Sequence, residues 1–229
     1  MSPSTIGGLR RRLRNLISPA APTVLTVDSM PLTERVLFAQ ATLKTIGLTR
    51  DFGRLLVLCG HESSSENNPY QASLDCGACG GQGGGPNART AAVILNQIEV
   101  RDELRRSGID IPGHTVVIAA LHDTTTDQVA VLDTHLIPPS HRTDVDRLNT
   151  DLVHAGRALA AERCDILPGA ARRRSPTNAA RHVAGRSVDW AQVYPEWGLA
   201  GNAAFIIGPR ELTRGIDLQR RTFLHSYGA

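Results

Sequence analysis

One polar, glycine-rich segment holds the side chains best suited to chemistry. His61 directly follows an apolar run, and the loop after it carries the thiols of Cys76 and Cys79 together with three carboxylates, of which Asp75 adjoins Cys76. Loops of this length without regular structure are uncommon unless they are functional. Because imidazole and thiolate are ligands that zinc prefers, the segment is a candidate metal site that needs one or two ligands beyond His61 and one thiol.

The motif Cys76-Gly-Ala-Cys79 has three interpretations. It is a redox dithiol, half of a structural zinc knuckle, or one zinc thiolate beside a cysteine that does not bind the metal. A thioredoxin-like pair normally lies at a helix start, and the glycines that follow Cys79 argue against that position. No second Cys/His pair stands at knuckle spacing. Spacing alone does not choose among the three.

His122 follows a second apolar run in the same way that His61 follows the first. If the two runs are parallel neighbours, both histidines lie at the same end of the sheet. His122 is then a candidate neighbour of the metal site or a proton carrier. The alternative is that His122 and the threonines after it only satisfy the backbone of their loop.

The elements that position these residues follow from hydrophobic periodicity. Strands are predicted at 54–60, 115–121, 128–132 and 203–207, and helices at 31–46, 87–97, 100–107 and 144–163. Ser29 and Asn87 are the predicted caps of the first two helices, and Gly47 is the predicted stop of the first. Strands that alternate with helices predict an α/β fold, with a layered sheet and flanking helices.

Composition excludes several classes of protein. The 229 residues are 41% apolar and 21% charged, which is ordinary for a folded domain, and no apolar run is long enough for a membrane-spanning helix. Four cysteines are too few for a disulfide framework, which favours a reducing compartment. Aromatic residues make up only 4%, which argues against a nucleic-acid surface. Residues 1–28 form a basic amphipathic segment, with a helix predicted over 5–17, and residues 29–229 form the domain.

Several long tracts together resemble the DabA family of probable inorganic carbon transporter subunits, which are distant relatives of β-carbonic anhydrases. The resemblance covers about residues 30–227 and rests on these tracts: Gly60-His61, Ser63, Ser65, Asn67-Asn68-Pro69, Leu74 to Gly81, Asn87-Ala88-Arg89, His122 to Asp127, and Pro195 to Phe205. It implies that residues 29–229 form part of a β-carbonic-anhydrase-like, zinc-binding domain.

The resemblance also implies a ligand set and a partner. Family members hold one zinc ion with a Cys-x-Asp pair from an upstream strand, a histidine, and a cysteine fifteen positions after it. His61 and Cys76 match the last two, so Cys79 is not the ligand, and Asp75, Cys79 and His122 become candidates for the surrounding shell. The implied partner is a DabB-like, membrane-embedded, proton-translocating subunit. The pair hydrates CO2 to bicarbonate at the cytoplasmic face of the cell membrane, where DabA is peripheral.

The sequence departs from the family pattern in two ways. The Cys-x-Asp-x-Arg motif is absent, and Glu62 stands where the family usually has glycine. Family chains are several times longer, so this chain looks like a fragment, and we expect it to be inactive as a hydratase by itself. Two other hypotheses stay open: a dithiol redox protein that uses Cys76 and Cys79, and a non-catalytic remnant that binds a membrane partner.

Overall fold

Three apolar segments form the sheet that carries the candidate residues. The structure is a computed structural model that describes residues 27–64, 75–76, 79–167, 169–189, 204–218 and 222–225. Strands β1 (Leu55–Glu62), β2 (Val116–Asp123) and β3 (Gln128–Val131) lie in the order β1-β2-β3. β1 and β2 are parallel, whereas β2 and β3 are antiparallel.

The register of β1 and β2 confirms that the two histidines share one end of the sheet. Leu55 pairs with Val116 at the start of the ladder, and His61 pairs with His122 near its end. Residues in register on adjacent strands project from the same face. The strands continue to Glu62 and Asp123, so both histidines lie within strands and not in the loops that the sequence predicted.

Helices cover both faces of this sheet, which confirms the α/β class. The five helices of the described residues are α1 (Leu32–Ile46), α2 (Gly85–Asn96), α3 (Ile98–Arg106), α4 (Arg142–Ile166) and α5 (Pro176–Arg186). On one face, Leu56, Leu58 and Val117 pack into a core with residues of α1, α2 and α3. On the other face, Ile118 packs with Ile137 and with Val145 of α4. The near-continuous apolar runs of β1 and β2 follow from this two-sided burial.

The helices predicted within the described residues are present, but two of the predicted caps are wrong. α1 begins directly after Pro31 without a side-chain cap from Ser29, and it ends at Gly47 in the left-handed conformation, as predicted. α2 begins at Gly85, so Asn87 lies inside its first turn. A proline at the start of each helix supplies a preset backbone angle, which makes a side-chain cap less necessary.

A second, two-stranded sheet joins β4 (Ala204–Ile207) to β5 (Thr222–His225) in parallel. β4 confirms the strand predicted at 203–207. The helix predicted over 5–17 lies outside the described residues, so the domain boundary at residue 28 stays a prediction.

Candidate metal centre

The end of β1 presents the first candidate ligand. His61 is exposed and lies on the same face of the strand as Cys59, which is also exposed. Glu62 projects from the opposite face, where its carboxylate lies against Gly83. The carboxylate in place of the family glycine therefore points away from the face that carries His61.

Two contacts attach the segment bearing Cys76 to the end of β1. The backbone N–H of Ser63 donates to Asp75 Oδ1 at 2.7 Å. On the far side of Cys76, the backbone N–H of Gly84 donates to the carbonyl of His61 at 2.8 Å. Cys76 and Gln82 form a β-bridge between these two points. The chain on either side of Cys76 is therefore held within one or two residues of His61.

Close backbone packing makes this attachment possible. A Cβ atom on Gly60 would lie 2.5 Å from the carbonyl oxygen of Gly84, which is closer than real Cβ contacts allow. Gly80 and Gly81 have φ angles of 67° and 77°, in the left-handed region that glycine adopts without strain. The glycine-rich run therefore serves to turn the chain tightly beside β1.

The two thiols of the motif lie against each other and against the start of α2. The backbone N–H of Cys79 donates to the carbonyl of Cys76 at 3.0 Å, which closes a tight turn. A hydrogen bond that the Cys79 thiol donates to Cys76 raises the pKa of Cys79, as do burial and the charge of Cys76, whereas the contact with Asn87 lowers it. Asn87, in the first turn of α2, donates from Nδ2 to Cys79 Sγ at 3.1 Å. Cys79 thus contacts the first turn of α2, although α2 begins only at Gly85, after the glycines that follow the pair.

His122 belongs to a buried charged network. Its Nε2 lies 3.2 Å from Asp127 Oδ1, and Asp127 Oδ2 lies 2.7 Å from Nη2 of Arg163 on α4. The Asp127 side chain is only 2% exposed and that of Arg163 only 7%. Because a carboxylate only accepts hydrogen bonds, the arrangement assigns the proton to Nε2. His122 is thus linked to α4 through Asp127, a residue of the loop that follows β2.

A second network joins the loops that follow β1 and β2. Asp123 accepts hydrogen bonds from Ser64 Oγ at 2.5 Å and from Thr126 Oγ1 at 2.7 Å, and its other oxygen accepts from the backbone of Thr125 at 3.0 Å. Thr125 Oγ1 in turn lies 3.0 Å from Ser63 Oγ. The sequence analysis did not identify Asp123 or Arg163 as residues that support the site. Asp123 could have been identified from the polar run 122–127 in which it lies.

Comparison with known proteins identifies the family and the relatives of this chain. The family described as "Probable inorganic carbon transporter subunit DabA" matches residues 1–229. This chain belongs to the DabA family. It is 48% identical over 223 residues to the probable DabA of Chloroflexus aurantiacus, and 48% identical over 204 residues to that of Natronomonas pharaonis. It is 51% identical over 194 residues to the probable DabA 1 of Bradyrhizobium sp. strain ORS 278.

The matched region is a minor part of those DabA proteins. The alignments cover 96%, 88% and 85% of this chain but 26%, 25% and 23% of the three relatives. The chain therefore spans about a quarter of their length. No solved structure matches the chain significantly. Among the described residues, no helix is both long enough and apolar enough to cross a membrane.

Both ligands predicted from the sequence are donors of the kind that zinc takes. His61 is an exposed imidazole, and Cys76 is a half-buried thiol in an attached segment. The described residues contain no group of three His, Cys, Asp or Glu side chains arranged to hold a metal ion. The donor chemistry thus fits zinc, but the described set is incomplete, and no reaction step is assigned to the chain through the metal.

Each of the three residues expected around the metal has an identified neighbour in the structure. Asp75 binds the backbone after β1, Cys79 touches Cys76, and His122 is in register with His61. Cys164, by contrast, is fully buried in the core formed by α4 and α5.

Proposed function

We propose that this chain is the part of a DabA subunit that contributes His61 and Cys76 to a zinc site for inorganic carbon uptake. The proposal depends on the two hydrogen bonds that attach the chain on either side of Cys76 to the end of β1. One joins Asp75 to Ser63, and the other joins Gly84 to His61. Both candidate ligands belong to one small region at the carboxyl end of β1. In parallel sheets this edge is the usual place for a binding site.

The remaining ligands come, in this proposal, from a strand that pairs with the open edge of β1. β1 is an edge strand of the described sheet, with β2 as its described neighbour. Its run Leu55-Leu56-Val57-Leu58 has the composition of a strand inside a parallel sheet, and these four side chains are only half-buried. A neighbouring strand with the family's Cys-x-Asp pair would cover this edge and supply a thiolate and a carboxylate beside His61.

Zinc with an open coordination position acts as a Lewis acid and lowers the pKa of bound water, which is the chemistry that CO2 hydration needs. In this proposal His61 and Cys76 hold the ion and Asp75 holds the backbone turn. His122, oriented by Asp127, lies next to His61 on the same sheet face. The whole subunit works with a DabB-like, membrane-embedded, proton-translocating partner and lies peripherally at the cytoplasmic face of the membrane.

A zinc titration of the reduced, purified chain tests the ligand assignment. We expect Cys76→Ser to weaken zinc binding by about tenfold or more, because a direct ligand is lost and even groups behind the ligands contribute on this scale. Cys79→Ser is the matched control and should cause a clearly smaller loss. Competition with a chromophoric chelator measures both affinities.

The opposite ranking would transfer the ligand role to Cys79 and contradict the assignment. A chain that binds no zinc at all would favour the non-catalytic remnant. The redox hypothesis would be supported if the chain catalysed the reduction of a protein disulfide and if the Cys76/Cys79 dithiol had a reduction potential typical of redox enzymes.

A further inference from the structure

A tight backbone turn joins Cys76 to Cys79, and such a turn is compatible with a disulfide between the two residues. The backbone hydrogen bond from Cys79 to Cys76, 3.0 Å long, closes a four-residue turn. Such a turn brings the two Cα atoms within about 7 Å, and disulfides span about 4.4–6.8 Å between Cα atoms. Neither thiol is in a disulfide, and both are half-buried, within reach of a small oxidant.

The surroundings hold the Cys79 side chain and the Cys76 backbone in place. The amide of Asn87, in the first turn of α2, donates from Nδ2 to Cys79 Sγ at 3.1 Å. The backbone of Cys76 is fixed by its pairing with Gln82 and by the N–H of Gly81, which donates to its carbonyl at 3.1 Å. The backbone of Cys76 and the side chain of Cys79 are therefore both held beside the turn in which the disulfide would close.

We propose that Cys76 and Cys79 form a reversible disulfide that switches the metal site off. The proposal rests on the proposed function, because it concerns the thiol assigned to zinc. A sulfur atom within a disulfide is no longer a thiolate and does not act as the zinc ligand that Cys76 supplies when reduced. The proposal gives Cys79 a role although it does not bind the metal: it is the cysteine with which Cys76 forms the disulfide.

The reaction is thiol–disulfide exchange with a low-molecular-weight disulfide, RSSR. One cysteine thiolate attacks a sulfur of RSSR, which forms a mixed disulfide and expels RS⁻. The second cysteine thiolate attacks the protein sulfur of the mixed disulfide, which forms the Cys76–Cys79 bond and expels the second RS⁻. The two cysteines lose two electrons and two protons in total, and RSSR is reduced to two molecules of RSH.

Oxidised glutathione is the probe for the first arm of the test. The full chain is equilibrated across glutathione ratios from reducing to oxidising, quenched by alkylation, and analysed by peptide mass mapping. We expect a Cys76–Cys79 link that dithiothreitol reverses. Cys59→Ser and Cys164→Ser are matched controls that should form the same link, whereas Cys79→Ser should form none. Absence of the link at every ratio in the unsubstituted chain would overturn the proposal.

Cobalt(II) is the probe for the second arm, because its thiolate charge-transfer absorption reports binding through sulfur. We expect oxidation to weaken Co²⁺ binding by about tenfold or more, because loss of even a residue that only supports a ligand weakens metal binding on this scale. Reduction should restore the affinity. The affinity of the Cys79→Ser variant should not change on the same treatment. If the link forms and Co²⁺ binding does not change, the switch is wrong and the zinc proposal stands. If the reduced chain gives no thiolate absorption, the zinc proposal itself fails, and the switch fails with it.

Discussion

Asp127 joins two residues that are far apart along the chain. One carboxylate oxygen accepts from His122 on β2, and the other pairs with Arg163 on α4. Nη1 of Arg163 also donates to the carbonyls of Thr124 and Thr125, at 3.1 Å each. The guanidinium therefore fixes both the carboxylate and the loop that carries it, and through them the ring of His122. Orientation of a histidine by a carboxylate is common behind metal sites.

Replacement of Arg163 by methionine should lower the free energy of unfolding by about 3–5 kcal/mol, because removal of one partner leaves a buried charge without compensation. Urea denaturation of the purified chain measures the change. Arg105→Met is the matched control, since Arg105 forms ion pairs with Asp102 and Asp110 at the surface. The control should change stability by no more than about 1 kcal/mol. Equal losses in the free energy of unfolding would contradict the expectation that the buried pair of Arg163 and Asp127 matters more than a surface ion pair.

At the scale of elements, the contact between β1 and the start of α2 positions the candidate site. The strand has glycine at position 60, and the chain that leads into α2 has glycine at position 84, so the two backbones touch. α2 then packs on β1 and β2 and buries Ile94 and Leu95 beneath the sheet. The segment bearing Cys76 is held near His61 because this helix and this strand are held together.

Gly60→Ala should therefore destabilise the chain and displace the loop before α2. A Cβ atom there would meet the backbone of Gly84, which has no flexible side chain to move aside. We expect a loss of about 1–3 kcal/mol, the usual cost of overpacking, together with weaker zinc binding. Gly113→Ala is the control, because a Cβ at Gly113 meets nothing within 4 Å. Thermal unfolding and the zinc titration measure the two effects; a Gly60→Ala chain that matched the control would contradict the packing argument.

At the scale of the whole molecule, the chain supplies about a quarter of the length of its DabA relatives. Helices cover both faces of the sheet, whereas the outer edge of β1 has no partner among the described strands. The candidate donors lie at the carboxyl end of that same strand. The candidate donors and the strand edge that lacks a described partner therefore occur in one place.

We expect the isolated chain to show no zinc-dependent CO2 hydration above the buffer rate, because His61 and Cys76 alone leave the metal without the rest of its ligands. Stopped-flow hydration with a pH indicator, in the presence of saturating zinc, is the measurement. A complete DabA relative assayed together with its partner subunit is the positive control. Robust hydration by the isolated chain would mean that other residues of this chain complete the site.

Most of the helices and strands, the α/β class and the family were predictable from the sequence, because they depend on local hydrophobic periodicity and on long, unusual tracts. Helix α5 and strand β5 were not predicted. The strand ends at Glu62 and Asp123 were not predictable, since the ladder between β1 and β2 continues past the apolar runs. The absence of caps at Ser29 and Asn87 likewise follows from where prolines begin the helices.

The sequence by itself determined which side chains are capable of chemistry at this site: an imidazole at 61, thiols at 76 and 79, and an imidazole at 122. Only the tertiary structure decided which groups meet. Ser63 binds Asp75 across twelve residues, and His122 is linked through Asp127 to Arg163 of a distant helix. The physical reason is that such contacts depend on how helices and strands pack, and no local pattern of residues records that packing.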